Sequence, residues 1–121
     1  MDFAATIDAS RNLVRVRFAG AVTAPAMEAA AARLEALLPA MKPGFTTFTD
    51  FGGVESMDLD CVPHLTRIMD LCRTHGIGLV VRLLPAPDKD LGIKLLSIVH
   101  YRGKVKMVTV ETLAEAERVL A

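Results

Sequence analysis

The chain has 121 residues, 52% of them apolar, and its fourteen basic and fourteen acidic side chains cancel. Zero net charge argues against a nucleic-acid partner, which would require a basic excess on one face, and no apolar run approaches the roughly 20 residues of an integral membrane segment. The length predicts a single domain, residues 1–121, whose core is aliphatic because aromatic residues make up only 5%.

The N-terminal stretch FAATIDASRNLVRVRFAG predicts a β-hairpin. Apolar and polar residues alternate on both sides of the turn ASRN, which is typical of half-buried antiparallel strands. Arg15 and Arg17 would lie on the solvated face of this hairpin, and a contact with a phosphate or an acid is the alternative. Gly20 is predicted to end the second strand.

A helix and a strand are predicted next. Thr23 is placed to be the N-cap of the helix, Pro25 suits its first turn, and Pro39 would stop it. The run GFTTFTDF favours a β-strand through its threonine and phenylalanine content, and it is bounded by Pro43-Gly44 and Gly52-Gly53. Strand and helix signals therefore begin to alternate from this point.

The alternation continues to the C-terminus. A helix is predicted to run to about His75, followed by the nearly unbroken apolar strand IGLVVRLLP, the helix LGIKLLSIVHY, the strand KVKMVTV and the helix TLAEAERVLA. Thr112 and Glu115 have capping-box spacing at the start of the last helix. The order predicts an α/β fold with a mixed, mostly parallel sheet of about five strands, flanked by about four helices.

Three stretches carry a family resemblance. TDFGGVESMD is similar to a D-l-s-g-V-x-f-h-D signature, with five residues in register: Asp50, Gly53, Val54, Met57 and Asp58. CRTHGIGLVV is similar to r-x-x-G-h-x-h-x-h, and KDLGIKLLSIVHYRGKVKMVTVETLAEAERVL to a third helix, final strand and last helix. Together they resemble the STAS domain, the fold of the bacterial anti-sigma-factor antagonists. The resemblance covers nearly the whole chain, with the best register from Thr49 to Leu84.

The resemblance implies a regulatory function that this chain would perform without its usual switch. In the regulatory members a hydroxyl directly after the loop aspartate is phosphorylated by a partner kinase. Here Asp58 is present, but the phosphoacceptor-equivalent position is Leu59, followed by Asp60 and Cys61. Leucine has no nucleophile, so this position cannot be phosphorylated, and Ser56 is only a weak alternative phosphosite.

The junction at Asp58 admits several interpretations. Asp60 would cap the following helix, or it would supply a fixed negative charge near the site of the missing phosphate. Asp58, Asp60, Cys61 and His64 also have donor atoms that bind Zn²⁺, and Cys61 with His64 could be read as a nucleophile and base. We expect neither a metal nor catalysis, because Cys61 falls on the buried stripe of the helix and no orienting third group is visible.

The favoured interpretation is a non-enzymatic protein-interaction module without a cofactor. Its docking surface would comprise six residues of the loop and the following helix: Asp58, Leu59, Asp60, Cys61, His64 and Arg67. The resemblance implies an anti-sigma-factor-like kinase or another signalling protein as partner, and the wide apolar face of residues 91–99 suggests a homodimer. The alternative is a small-molecule or lipid-binding STAS-like domain.

The two cysteines indicate the cellular compartment. Cys61 and Cys72 would lie about three turns apart on one helix, roughly 16 Å by helix rise, which is too far for a disulfide. We expect reduced thiols in the core and a cytoplasmic protein.

Overall fold

The computed structural model describes residues 2–84 and 105–121. Its strands are β1 (Asp2–Asp8), β2 (Leu13–Val22), β3 (Thr46–Met57), β4 (Leu79–Leu83) and β5 (Lys106–Val110). Its helices are α1 (Ala24–Leu37), α2 (Val62–Thr74) and α3 (Leu113–Leu120), with short 3-10 turns at Ala9–Arg11, Leu38–Ala40 and Leu59–Cys61. The predicted helix at residues 91–99, with its apolar face and the homodimer built on it, lies outside the described residues.

The five strands form one sheet in the order β1-β2-β3-β4-β5. The N-terminal hairpin pairs β1 with β2 antiparallel, and the other three pairings are parallel. The predicted α/β architecture with a five-stranded mixed sheet is therefore confirmed. The described residues contain three α-helices, and the fourth expected helix lies outside them.

The helices cover both faces of the sheet. On one face, α1 and α2 pack against side chains that include Val14, Val16 and Val80. On the other, α3 packs through Ala116 against a second cluster that includes Val81. Because successive strand residues point to opposite faces, β4 needs apolar residues at adjacent positions, which explains its nearly unbroken apolar sequence.

The glycines of β2 and β3 do not end these strands, contrary to the sequence prediction. β2 continues through Gly20 to Val22, and the pairing with β3 shifts register on either side of this glycine. Gly20 has a φ of 76°, which a residue with a side chain rarely adopts. The glycines therefore accommodate bulges, and β3 extends past Gly52 and Gly53, so that the loop begins only at Asp58.

The two arginines of the hairpin have different surroundings. Arg17 is exposed, as predicted. Arg15 is half-buried beneath α3, where its Nη1 lies 3.1 Å from Oε1 of Glu117 and its guanidinium lies 5.8 Å from the centre of the Phe48 ring. Arg15 thus helps to hold α3 on the sheet.

Candidate functional site

The loop after β3 is fixed at both ends by backbone hydrogen bonds. The amide of Asp58 donates to the carbonyl of Val22 at 3.2 Å, which ties the loop to the end of β2. The amide of Cys61 then donates to the carbonyl of Asp58 at 3.0 Å and closes the 3-10 turn Leu59–Cys61. α2 follows immediately with Pro63 in its first turn, where the missing N–H has no cost.

Leu59 is the apolar tip of this loop. Its exposed fraction is 69%, the highest among the large exposed hydrophobic side chains of the described ranges. Asp58 and Asp60 on either side are exposed, as are Glu55 and Ser56 at the end of β3. The position equivalent to the family's phosphoacceptor therefore presents an apolar side chain to solvent between carboxylates.

The predicted helix cap at Asp60 is wrong. Asp60 lies inside the 3-10 turn, and the N-cap residues are instead Asp58 for this turn and Cys61 for α2, neither of which makes a side-chain capping hydrogen bond. The 3-10 turn itself leads into the helix, because the amide of Val62 bonds to the carbonyl of Leu59. The carboxylate of Asp60 remains on the surface, close to the positive end of the α2 dipole.

The surroundings of Cys61 do not suit a nucleophile. Its side chain is fully buried, and its Sγ donates to the carbonyl of Val22 at 3.5 Å. Burial, together with the negative charges of Asp58 and Asp60, raises the pKa of the Cys61 thiol, whereas a nucleophilic cysteine needs a lowered pKa. Within residues 2–84 and 105–121, no group of three or more His, Cys, Asp or Glu residues could hold a metal ion.

The remaining residues of α2 divide between core and surface as the periodicity predicts. Cys72 and Leu65 are buried, and both cysteines are free thiols, as expected. His64 is half-buried, and Arg67 is exposed but forms a salt bridge with Glu35 of α1. At the end of α2, Nδ1 of His75 lies 2.9 Å from the carbonyl of Leu71, so the His75 side chain caps the C-terminal end of the helix.

A buried charge on β4 was not expected from the sequence. Arg82 is only 7% exposed, and it lines an apolar cavity of about 60 Å³ between the sheet and helices α1 and α2. Its Nε donates to Oγ1 of Thr109 on β5 at 3.0 Å. The sequence feature that could have indicated this buried charge is the single arginine inside the apolar run IGLVVRLLP. A charged residue in a central strand requires an explanation.

Comparisons with known proteins identify the fold. No protein-family model matches the sequence, and no curated protein matches it. Among solved structures, the anti-sigma factor antagonist SpoIIAA in its unphosphorylated form is similar with a TM-score of 0.62 and 23% identity, over 98% of this chain and 97% of that one. The Bacillus cell fate determinant SpoIIAA in its phosphorylated form is similar with a TM-score of 0.61 and 20% identity, over 98% and 99%.

A third similar structure comes from Shewanella loihica. It is an uncharacterised protein with a SpoIIAA-like fold, with a TM-score of 0.64 and 15% identity over 98% of this chain and 94% of that one. At these identities the likeness establishes the fold, and the chain therefore has the STAS, or SpoIIAA-like, fold that its sequence resembles. In the part of the chain that the structure describes, no helix is long and apolar enough to cross a bilayer.

Proposed function

We propose that this chain is a non-enzymatic protein-interaction module with a regulatory role, and that it docks a partner through the docking loop, residues 58–64, and the exposed face of α2. The observation that carries this proposal is Leu59. A single exposed leucine is ordinary on a protein surface, but this one lies at the tip of a loop fixed to β2. Its exposed fraction of 69% leaves a large apolar area available for burial by a partner.

The similar structures support a regulatory setting. Two of them are an anti-sigma factor antagonist in its unphosphorylated and phosphorylated forms. We infer an anti-sigma-factor-like kinase or another signalling protein as the partner of this chain. The two free cysteines support a reducing compartment such as the cytoplasm.

The proposed module differs from a phosphorylation switch in the chemistry of its loop. Residues 57–61 contain no serine or threonine, so no hydroxyl there can receive a phosphate. Asp58 and Asp60 instead keep two exposed carboxylates beside the apolar tip. The partner would therefore meet a constant negative charge, and binding would not be reversed by a kinase acting at Leu59.

Restoring the hydroxyl tests the alignment and the loss of the switch together. A serine kinase of the anti-sigma-factor type, with ATP, should leave the wild-type loop unmodified by mass spectrometry. Leu59→Ser should gain one phosphate, while the matched variant Leu59→Ala should gain none. Adding Ser56→Ala to the wild type and to each variant distinguishes a phosphate on Ser56 from one on residue 59. A phosphate on Ser56 of the wild-type protein would contradict the absence of a switch.

A binding measurement tests the docking surface. Leu59→Asp should lower the affinity for the partner at least about tenfold, which corresponds to about 1.4 kcal/mol of binding free energy. The reason is that the substitution replaces an apolar contact with a charge. Leu113→Asp is the matched control, since Leu113 is 55% exposed at the start of α3. Equal effects of the two variants, or none from Leu59→Asp, would remove the docking loop from the interface.

A further inference from the structure

Of the described helices, α3 alone covers its face of the sheet, and it contributes little apolar surface to that contact. Ala116 is its one buried side chain, and Leu120 is half-buried. The sheet beneath it contributes five large apolar side chains, each at most 6% exposed: Leu13, Phe48, Val81, Leu83 and Val110. A wide apolar surface is therefore covered by a helix that buries mainly an alanine.

Unfilled space lies at both ends of α3. A space of about 70 Å³ lies beside its last turn, where Val119 and Leu120 line it together with Leu13 and Leu79. An open groove of about 210 Å³ lies beside its first residue, Leu113, which is 55% exposed. Atoms that border an unfilled space lose dispersion contacts on that side, so neither end of α3 is closely packed on the sheet.

Two arginines of the N-terminal hairpin hold α3 through polar contacts. Nη2 of Arg11 donates to the carbonyl of Leu120 at 2.6 Å, and Nη1 of Arg15 lies 3.1 Å from Oε1 of Glu117. The side chains of Arg15 and Glu117 are 34% and 47% exposed, so water screens this pair and its stabilisation is small. The contacts join residues 109 and 102 positions apart in the sequence, so both break when α3 leaves the sheet.

We propose that α3 is a releasable strap, which leaves the sheet as a unit while the rest of the domain stays folded, and so uncovers a second apolar surface. An element with few buried apolar contacts opens at a lower free energy than the whole domain. Eight residues are too few for a stable isolated helix, so release and loss of the helix are one event. The uncovered surface lies on the opposite face of the sheet from α2, and the proposal does not rest on the docking loop.

Native-state hydrogen exchange of the full chain in increasing urea tests for a separate opening. The amides of Ala116 and Ala121 report on α3, because they donate to the carbonyls of Thr112 and Glu117, and the amides of β3 report on the whole domain. Protection in α3 should be at least about tenfold lower than in β3 and should depend less steeply on urea, since release exposes less surface. Equal protection and urea dependence in α3 and β3, or low protection at Ala121 alone, would overturn the proposal.

Three variants separate release of the strap from global unfolding. Ile77 packs in the core on the other face of the sheet, so Ile77→Val should speed exchange in β3 about fivefold and leave α3 unchanged. Arg15→Gln should speed exchange at Ala116 about twofold to fivefold. Arg17→Gln is the matched control, since Arg17 is exposed on the same face of β2 and forms no salt bridge within the described residues. Faster exchange of α3 in Ile77→Val, or equal effects of the two arginine variants, would contradict a separate release.

A charge beneath the helix should hold the strap open. Ala116 is buried and Ala114 on the same helix is exposed, so Ala116→Asp should release α3, with Ala114→Asp as the matched control. Release should increase the fluorescence of the neutral apolar dye Nile red, and β3 should remain protected from exchange because the variant loses only the contacts that α3 makes. Loss of protection in β3 of Ala116→Asp, or an equal dye response in the two variants, would overturn the proposal.

Discussion

The docking loop and the cavity depart from ordinary burial in opposite directions. At the docking loop, Leu59 is an apolar residue with 69% of its surface exposed. At the cavity, Arg82 is a charged residue with 7% exposed. Folding alone favours neither arrangement, because apolar surface is stabilised by burial and charge by hydration.

The difference between the two regions lies in what surrounds each residue. The docking loop leaves the apolar surface of Leu59 in solvent with carboxylates around it, which suits a protein partner. Arg82 lies beside a small apolar cavity and donates to Thr109 on the neighbouring strand, so its charge is held inside the fold.

The largest effect is expected from comparing two leucines of the same junction. Leu65 is 4% exposed and contacts the core, whereas Leu59 does not. Leu65→Ala should lower the free energy of unfolding by about 2–5 kcal/mol, near the lower limit because the cavity already removes some contacts. Leu59→Ala should change it by less than about 0.5 kcal/mol.

Urea denaturation followed by circular dichroism measures both leucine variants under identical conditions. They delete the same atoms, so the difference between them reports burial alone. A similar loss in both would mean that Leu59 packs into the domain, and the docking surface would then lose its apolar tip.

A smaller effect is expected at the hydrogen bond between Arg82 on β4 and Thr109 on β5. Thr109→Val removes the hydroxyl that accepts from Nε of Arg82 and should cost about 1.5 kcal/mol, the lower end for hydrogen bonds to charged groups, because Thr109 is exposed and water replaces part of the bond. Thr66→Val is the control, since its exposed hydroxyl donates to the Val62 carbonyl within α2. Equal costs in the two variants would show that the Thr109 bond does not hold Arg82 in place.

Helix caps provide a third comparison, between a cap that forms and one that does not. Oγ1 of Thr112 accepts from the amide of Glu115 at 3.2 Å, so Thr112→Ala should cost about 1 kcal/mol. Asp60→Ala should cost only a few tenths of a kcal/mol, since the carboxylate interacts with the α2 dipole through water. A thermal melt of each variant distinguishes these values, and a cost near 1 kcal/mol at Asp60 would restore its capping role.

The fold was predictable from the sequence where local signals and tertiary structure agree. The alternating hairpin, the apolar stripe of α2 and the Thr112 cap all follow from periodicity and side-chain chemistry. The ends of β2 and β3 were not predictable, because Gly20 and Gly53 can end a strand or fit a bulge. Gly53 fits the bulge because a Cβ there would lie 3.1 Å from the Cβ of Ala19 on the neighbouring strand, a contact that is not local in sequence.

The candidate site was likewise predictable only where local sequence signals determine it. The position of the docking loop follows from the order of the elements, and Leu59 was identified as the residue in place of the phosphoacceptor. The surroundings of Arg82 depend on strand register, which brings Thr49, Arg82 and Thr109 into one row. Nothing local to residue 82 indicates that its neighbours across the sheet are threonines.

The smallest effect is expected where the docking surface meets α1. Arg67 pairs with Glu35, but their side chains are 46% and 53% exposed. A double-mutant cycle of Arg67→Gln and Glu35→Gln should therefore give a coupling energy below about 0.5 kcal/mol, and this energy should fall further at high salt.

Partner binding should respond differently, because Glu35→Gln leaves the Arg67 cation unpaired beside the acidic docking loop. If Arg67 contacts the partner, Glu35→Gln will change the affinity and Arg67→Gln will abolish that change. If neither variant alters binding, the interface is confined to the docking loop and does not extend along α2.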